Sequence, residues 1–210
     1  MFNVISRAII VAGLVVVSLN AKATPIISFF IDGNTFYNSF EIENTSTDGE
    51  SIVSASFDIS SLGILFDTAD GGAVNNSDGK QFTAVGGSDI TTGLVTPVIV
   101  ADGASFFEMF FSDFDSGESI VWDIDLDFSP GSTGVSGDDL IGALVSIEFN
   151  TGDILSGILS AVSGNADASE FVATGLVSAP AAPVATVSEP DAFFMLMLGG
   201  CLVLVRRLAK

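Results

Sequence analysis

The sequence contains no histidine and a single cysteine, and both facts narrow its chemistry. Without histidine the chain cannot build a Ser-His-Asp or Cys-His catalytic centre, and it lacks the most common zinc ligand. Because Cys201 has no partner, no intramolecular disulfide can form, and an exported domain would depend on packing alone. Carboxylates and hydroxyls remain as the side chains able to act on a substrate or hold a metal ion.

Basic residues are scarce as well, with six Lys and Arg against 26 Asp and Glu and a formal net charge of −20. Between residues 24 and 190, Lys80 is the one basic residue, whereas 25 of the acidic residues lie there. Phosphate backbones are bound by basic surfaces, so the composition excludes nucleic acid as a partner. A charge of this size favours solubility and attracts cations.

The N-terminal segment is typical of a secretory signal peptide. Arg7 precedes the apolar run AIIVAGLVVVSL, and the small residues Ala21 and Ala23 then occupy the two positions that a signal peptidase reads. We expect a signal helix over residues 1–23, cleavage after Ala23 and export through the inner membrane. A buried N-terminal helix is the alternative, but strand-like sequence begins directly after the cleavage position.

A second apolar segment lies near the C-terminus, where 14 residues from Ala192 to Val205 stand between Asp191 and two arginines. At about 1.5 Å per residue, a helix of this length spans about 21 Å, which is short of the ~30 Å hydrocarbon core of a bilayer. Arginines after the segment favour a cytoplasmic C-terminus. We therefore expect a short hydrophobic helix that holds the protein in the membrane only transiently.

The residues around this segment resemble the PEP-CTERM sorting signal, which exosortases process in Gram-negative bacteria. The family pattern is Pro-Glu-Pro, and here a serine stands at its first position. The resemblance covers about the last 24 residues and implies tail removal and delivery to the cell surface or the exopolysaccharide matrix. This tail type is also labelled the C-terminal domain of ice-binding proteins, a label that refers to the sorting of the protein and not to an activity. The matching residues are Val187, Ser188, Glu189 and Pro190, followed by Arg206 and Arg207.

These boundaries predict four parts of the chain. Residues 1–23 form the signal peptide, and residues 24–177 form one domain large enough to bury a core. Residues 178–190 form an Ala/Pro-rich linker that ends in the sorting motif. Residues 191–210 form the PEP-CTERM-like helix and its basic tail.

The central domain is dominated by alternating apolar and polar residues, which predicts half-buried strands. The pattern is clearest in SIVSASFDIS at 51–60, SIVWDIDLDF at 119–128 and IGALVSIEF at 141–149. The sequence NTGD at 150–153 predicts a hairpin loop after the third of these strands. We predict an all-β fold, specifically an antiparallel β-sandwich of the jelly-roll or immunoglobulin-like type.

Phenylalanine is abundant, with 18 residues, and two interpretations are open. Most of these rings are expected to fill the core between strands, and the alternative is an aromatic binding platform. Consecutive aromatics must point to opposite faces of a strand, so one ring of each pair would lie at an edge, in a second buried layer or in solvent. The pairs are Phe106-Phe107 and Phe110-Phe111.

Acidic clusters offer candidate calcium ligands, because calcium takes six to eight oxygen ligands and relieves repulsion between carboxylates. The first candidate combines one face of the strand DIDLDF with acidic residues before a Ser-Gly turn, and its alternative is a solvent-exposed strand face. The second candidate is the loop DTADGGAVNNSDGK at 67–80, whose alternative is a plain turn. Asp138-Asp139 is a weaker candidate. The first set comprises Asp113, Asp115, Glu118, Asp123, Asp125 and Asp127.

A glycosidase can work with carboxylates alone. Its cleft, however, needs several side chains for sugar contacts, and the domain offers only one Trp, one Tyr and one Lys. We therefore expect a function that is not enzymatic. An ice-binding surface would need a regular threonine array, and no such repeat is visible. We expect an acidic surface or matrix protein that meets signal peptidase and exosortase during export and associates with exopolysaccharide. The alternative is a calcium- or carbohydrate-binding β-sandwich module.

Overall fold

The computed structural model describes residues 25–47, 49–131 and 134–178. The predicted signal helix, sorting motif and C-terminal helix lie outside these residues and stay predictions. Among the described residues, no helix has the length and apolar character needed to cross a membrane. The strands are β1 (Ile27–Asp32), β2 (Phe40–Asn44), β3 (Ile52–Asp58), β4 (Ile64–Asp67), β5 (Thr83–Ala84), β6 (Phe106–Phe114), β7 (Ser119–Asp123), β8 (Asp125–Phe128), β9 (Leu144–Phe149), β10 (Ile154–Val162) and β11 (Asn165–Val177).

The described residues form an all-β fold, which confirms that part of the prediction. Nine strands make one curled antiparallel sheet in the order β5-β7-β2-β1-β11-β10-β9-β3-β6. The remaining strands, β4 and β8, pair with each other as a separate two-stranded sheet. A short helix α1 (Ser88–Thr91) and a 3-10 helix (Gly137–Leu140) lie in the connections.

Alternation of side chains determines which face of the curled sheet is buried. In β1 every second residue is buried, and in β6 the same pattern runs through both phenylalanine pairs. Phe107 and Phe111 lie in the core, whereas Phe106 and Phe110 are each 52% exposed. The consecutive aromatics therefore point to opposite faces, and in each pair the outward ring reaches solvent.

The core is built around Trp122, which lies in β7 and is fully buried. Phe40 stacks on its indole with ring centroids 5.4 Å apart, and Phe107 meets it edge-on at 6.4 Å. Phe66 of β4 packs edge-on against Phe107 at 5.2 Å, so the two-stranded sheet contributes to the same core. The core-filling interpretation is thus confirmed for most of the phenylalanines on the strands. The buried rings are Phe29, Phe40, Phe57, Phe66, Phe107, Phe111, Phe114 and Phe149.

Two strand predictions need correction. The segment SIVWDIDLDF is not one strand, because it breaks at Ile124 into β7, which joins the large sheet, and β8, which pairs with β4. The amide of Asp125 donates to the carbonyl of Lys80 at 3.0 Å, and this bond fixes the break. The segment IGALVSIEF begins its strand only at Leu144, because the amides of Ile141 and Ala143 bond to carbonyls three residues earlier, within the turn. Ile141 is 42% exposed and does not belong to the core. The hairpin loop at 150–153 is confirmed.

The neighbouring residues Phe106 and Phe107 provide a matched test of this packing. Replacing Phe107 by Ala should lower the free energy of unfolding by about 3–5 kcal/mol, because a large cavity opens among packed rings. Replacing Phe106 by Ala should cost no more than about 1 kcal/mol, because half of that ring already contacts water. Urea unfolding followed by Trp122 fluorescence measures both, and equal losses would contradict the assigned faces.

Candidate metal centre

Three aspartates meet where β4 and β8 pair. Asp67 is the last residue of β4 and lies opposite Asp125, the first residue of β8. Asp127 is two residues further along β8 and therefore projects from the same face. One carboxylate oxygen from each lies within 4.8 Å of the others. The three side chains are at most 2% exposed, so the local pairing creates a buried carboxylate triad.

The triad is electrostatically uncompensated. Burial, followed by the charge of Asp127, raises the pKa of Asp125 to about 7. Burial is also the main cause that raises the pKa of Asp67, and the Ser77 hydrogen bond opposes it only partly. Lys80 is the one basic residue in the described part of the chain. Its ammonium forms an ion pair with Asp123 at 2.9 Å rather than with the triad.

The hydroxyl of Ser77 links two carboxylates of the triad. Its oxygen lies 2.7 Å from Oδ2 of Asp67 and 2.7 Å from Oδ2 of Asp127. A hydroxyl donates one proton, so it can satisfy only one of these oxygens, and the other contact requires a bound proton or a cation. In addition, Oδ1 of the fully buried Asp67 accepts no well-aligned hydrogen bond within the described structure, and the Ala69 amide opposes the rise of the Asp67 pKa only weakly. The triad therefore has more acceptor oxygens than donors.

The remaining contacts hold the triad in place. Oδ1 of Asp127 accepts a 2.7 Å hydrogen bond from the amide of Gly134, whereas Thr35 Oγ1 is 3.5 Å from Oδ1 of Asp125. The long Thr35 contact contributes little. Burial is therefore the main cause of the raised pKa of Asp125, and hydrogen bonds from the Leu126 amide and the Thr35 hydroxyl offset it only in part.

The loop over residues 67–80 brings Ser77 to the triad. The carboxylate of Asp102 accepts hydrogen bonds from the amides of Thr68 and Ala73, at 3.1 and 2.5 Å, and so fastens the first half of the loop. Further along, the Asn75 side chain donates to the carbonyl of Phe128 at 2.7 Å. A Cβ on Gly79 would lie 2.6 Å from Oδ1 of Asp67, so this approach requires glycine.

The structure combines parts of the two calcium candidates that the sequence suggested. Asp125 and Asp127 come from the first candidate, whereas Asp67 and Ser77 come from the second. Their burial means that the alternative of a solvent-exposed strand face does not hold for Asp125 and Asp127. Asp67 is far from the β8 aspartates along the chain, so the sequence alone does not predict that they meet. The one signal was an aspartate that ends the apolar strand ILFD.

The other predicted ligands lie outside the triad and have local roles. Oε2 of Glu118 accepts the amide of Asp115 at 2.8 Å and so closes the turn between β6 and β7, close to the exposed Asp113. Burial alone would raise the pKa of Asp123. Hydrogen bonds from Ser39 and Lys80 outweigh this effect, so the pKa lies below its usual value. Asp139 accepts the amide of Ser136 at 2.9 Å and caps the 3-10 helix.

The ligand set fits a hard divalent cation. Calcium binds oxygen ligands at about 2.3–2.6 Å, so two of its ligands can be about 5 Å apart at most. The triad oxygens meet this limit, since they lie within 4.8 Å of one another. Asp67, Asp125 and Asp127 would supply carboxylates, and Ser77 would supply a hydroxyl oxygen. Zinc prefers nitrogen and sulfur ligands, so this set suits calcium better.

Searches of protein-family models, curated proteins and solved structures each found no match to this chain. The resemblance of the C-terminal segment to PEP-CTERM signals therefore stays a prediction.

The raised pKa of Asp125 predicts a specific pH dependence in a chelating buffer. Between pH about 4 and about 7 the folded protein holds a proton on Asp125 that the unfolded chain has released. Stability should therefore fall as the pH rises through this range, by roughly 4 kcal/mol at most for this group. Melting curves at pH 5 and pH 8 with chelator measure the change.

The Asp125→Asn variant is the control, because it removes the titrating group and should flatten this profile. A melting temperature that rises between pH 5 and pH 8 in chelator would contradict the assignment.

Proposed function

We propose that this chain is an exported, acidic, non-enzymatic protein of the cell surface or exopolysaccharide matrix, whose β domain binds calcium. The single observation that carries the calcium site is the buried triad of Asp67, Asp125 and Asp127 with one hydroxyl proton between two of its carboxylates. We also propose that the fold is a β-sandwich, in which β4 and β8 form a second layer over the curled sheet.

Calcium would act chiefly as a structural ion. Its ligands come from β4, from β8 and from the loop that carries Ser77, so one ion would join three segments. A cation offsets the repulsion and desolvation that three buried carboxylates otherwise suffer. Magnesium requires a near-octahedral shell and releases its waters reluctantly, so a crowded carboxylate site favours calcium.

The export half of the proposal rests on the two ends of the sequence. The run after Arg7 and the Ala21-Lys22-Ala23 motif support handling by signal peptidase in a Gram-negative bacterium. The PEP-CTERM-like segment supports handling by an exosortase, with membrane contact limited to the time before tail removal. The excess of carboxylates supports a protein that stays soluble outside the membrane and attracts cations.

Calcium should raise the melting temperature of residues 24–187 more than magnesium or sodium does at equal ionic strength. At a free calcium concentration 100 times its dissociation constant, one native-state site adds about 2.7 kcal/mol, which corresponds to several degrees. The Asp127→Asn variant should lose the calcium-specific rise. Differential scanning calorimetry in the three salts measures it.

The matched control is Asp113→Asn, which removes one negative charge from an exposed position outside the triad. This variant should keep the full calcium-specific rise, because general charge repulsion contributes equally in all three salts. The same midpoint in calcium, magnesium and sodium for the unmodified domain would refute the calcium site.

Sorting can be tested separately from calcium binding. Replacing both Glu189 and Pro190 by Ala should leave the protein in the inner membrane with its tail intact, because the exosortase recognises that motif. Cell fractionation and immunoblotting report the location and size of the protein. Release equal to that of the unmodified chain would exclude the exosortase proposal without affecting the calcium site.

A further inference from the structure

A cavity of about 280 Å³ opens beside the carboxylate triad. Its lining combines the polar side chains of Asp125, Asp127 and Ser77 with the aromatic residues Phe36 and Tyr37. The volume lies just under the range for drug-sized ligands, so it suits a single small unit of a larger molecule. An ion at the triad would therefore lie at the inner wall of a small binding cavity.

Tyr37 is the one tyrosine in the chain, and it is 79% exposed. Its ring packs edge-on against Phe36, with centroids 5.1 Å apart at 73°. Lys80 secures Phe36, because its ammonium donates to the Phe36 carbonyl at 3.1 Å and lies 5.9 Å from the ring centroid. An exposed aromatic ring thus lies beside the cavity, in contact with the Phe36 ring that Lys80 secures.

The turn that carries Tyr37 is fixed by Asn34, which also lines the cavity. The Asn34 side chain accepts the amide of Phe36 at 3.0 Å, and the Asn34 carbonyl accepts the amide of Tyr37 at 3.1 Å. Thr35, in the same turn, is buried and donates its amide to the carbonyl of Val135 at 2.8 Å. The aromatic side of the cavity is therefore ordered by the turn itself and does not depend on a ligand.

The triad leaves room for ligand atoms around a cation. Calcium takes six to eight oxygens, whereas three carboxylates binding through one oxygen each, together with Ser77, supply four. The unpartnered oxygen of Asp67 and the shared Ser77 proton point to an ion independently of the cavity. Positions of the ion that face the cavity would be filled by water or by ligand hydroxyls.

Charge selects against an anionic ligand. A dipositive ion among three carboxylates leaves a net charge of about −1, and the whole domain is strongly acidic. Lys80 is already paired with Asp123. A neutral polyol avoids this repulsion. Its paired hydroxyls can ligate a hard cation, and the apolar face of a sugar ring can pack on an aromatic ring.

We propose that the cavity between the triad and Tyr37 binds a neutral sugar residue of a polysaccharide, with vicinal hydroxyls on the calcium ion and one ring face on Tyr37. This proposal rests on the calcium site proposed above. It assigns that site a ligand class and makes the binding of the ligand dependent on calcium.

The test uses the full chain in a polyoxyethylene-ether detergent, which carries no sugar, and beads that bear mannan or galactan. Both polysaccharides are neutral: 1,4-linked mannan keeps the cis hydroxyls at C2 and C3 of each residue, and the galactan used is the 1,6-linked form, which keeps those at C3 and C4. We expect retention on at least one of them in calcium and release by a calcium chelator. Tyr37→Ala should weaken retention about tenfold, a loss of about 1.4 kcal/mol, while Tyr37→Phe keeps it.

Phe106→Ala is the matched control, because Phe106 is another exposed aromatic ring and lies outside the cavity lining. It should bind as the unmodified chain does. Retention on neither bead, retention that survives the chelator, or equal retention by Tyr37→Ala would each overturn the sugar proposal. Stronger retention on alginate beads, which are anionic, would also overturn it.

Calorimetry of the same samples separates the two proposals. A calcium-specific rise in melting temperature without retention on mannan or galactan refutes the sugar ligand and leaves the calcium site intact. The absence of that rise refutes both.

Discussion

Three carboxylates are buried where β4 pairs with β8, and this burial limits which charge states the folded domain can adopt. Ionised carboxylates lose much of their hydration when buried, and they repel one another at the distances seen here. The one basic residue in the described structure neutralises Asp123 and leaves the triad without a counter-charge. A folded domain can accept this arrangement if the carboxylates are protonated or if a cation joins them. The pKa of about 7 for Asp125 shows how strongly the site resists full ionisation on its own.

Several features of the fold follow from placing this triad. The chain leaves the large sheet at Ile124 and pairs again with β4, so that Asp125 faces Asp67. The loop over residues 67–80 folds back over the same point and delivers Ser77. Asp123, just before the break, holds Lys80, and Lys80 in turn secures the Phe36 carbonyl. Because the amide of Asp125 donates to the Lys80 carbonyl at 3.0 Å, the triad and the turn that carries Phe36 are joined through Lys80.

Sequence periodicity predicted the sheet well, because alternating burial is a local property. The opposite orientation of the two rings in each phenylalanine pair and the hairpin at 150–153 followed from spacing alone, whereas the spacing left open whether the outward ring reaches solvent. The triad could not be predicted from spacing, since it depends on the pairing of β4 with β8, which a single sequence does not reveal. The alternation in SIVWDIDLDF is continuous, so it does not predict the break at Ile124. The backbone hydrogen bond from Asp125 to Lys80 does not depend on the side-chain pattern. Proximity along the chain suggested that the β8 aspartates share a site with Asp113, Asp115 and Glu118. In the structure, Asp115 and Glu118 instead close the turn between β6 and β7.

A calcium ion that joins Asp67, Asp125 and Asp127 would be visible in crystals of the domain grown in calcium, with diffraction data collected at a long wavelength. We expect an anomalous peak about 2.3–2.6 Å from a carboxylate oxygen of each aspartate and from Ser77 Oγ. A well-ordered triad without that peak, held instead by short hydrogen bonds between protonated carboxyl groups, would refute the calcium site.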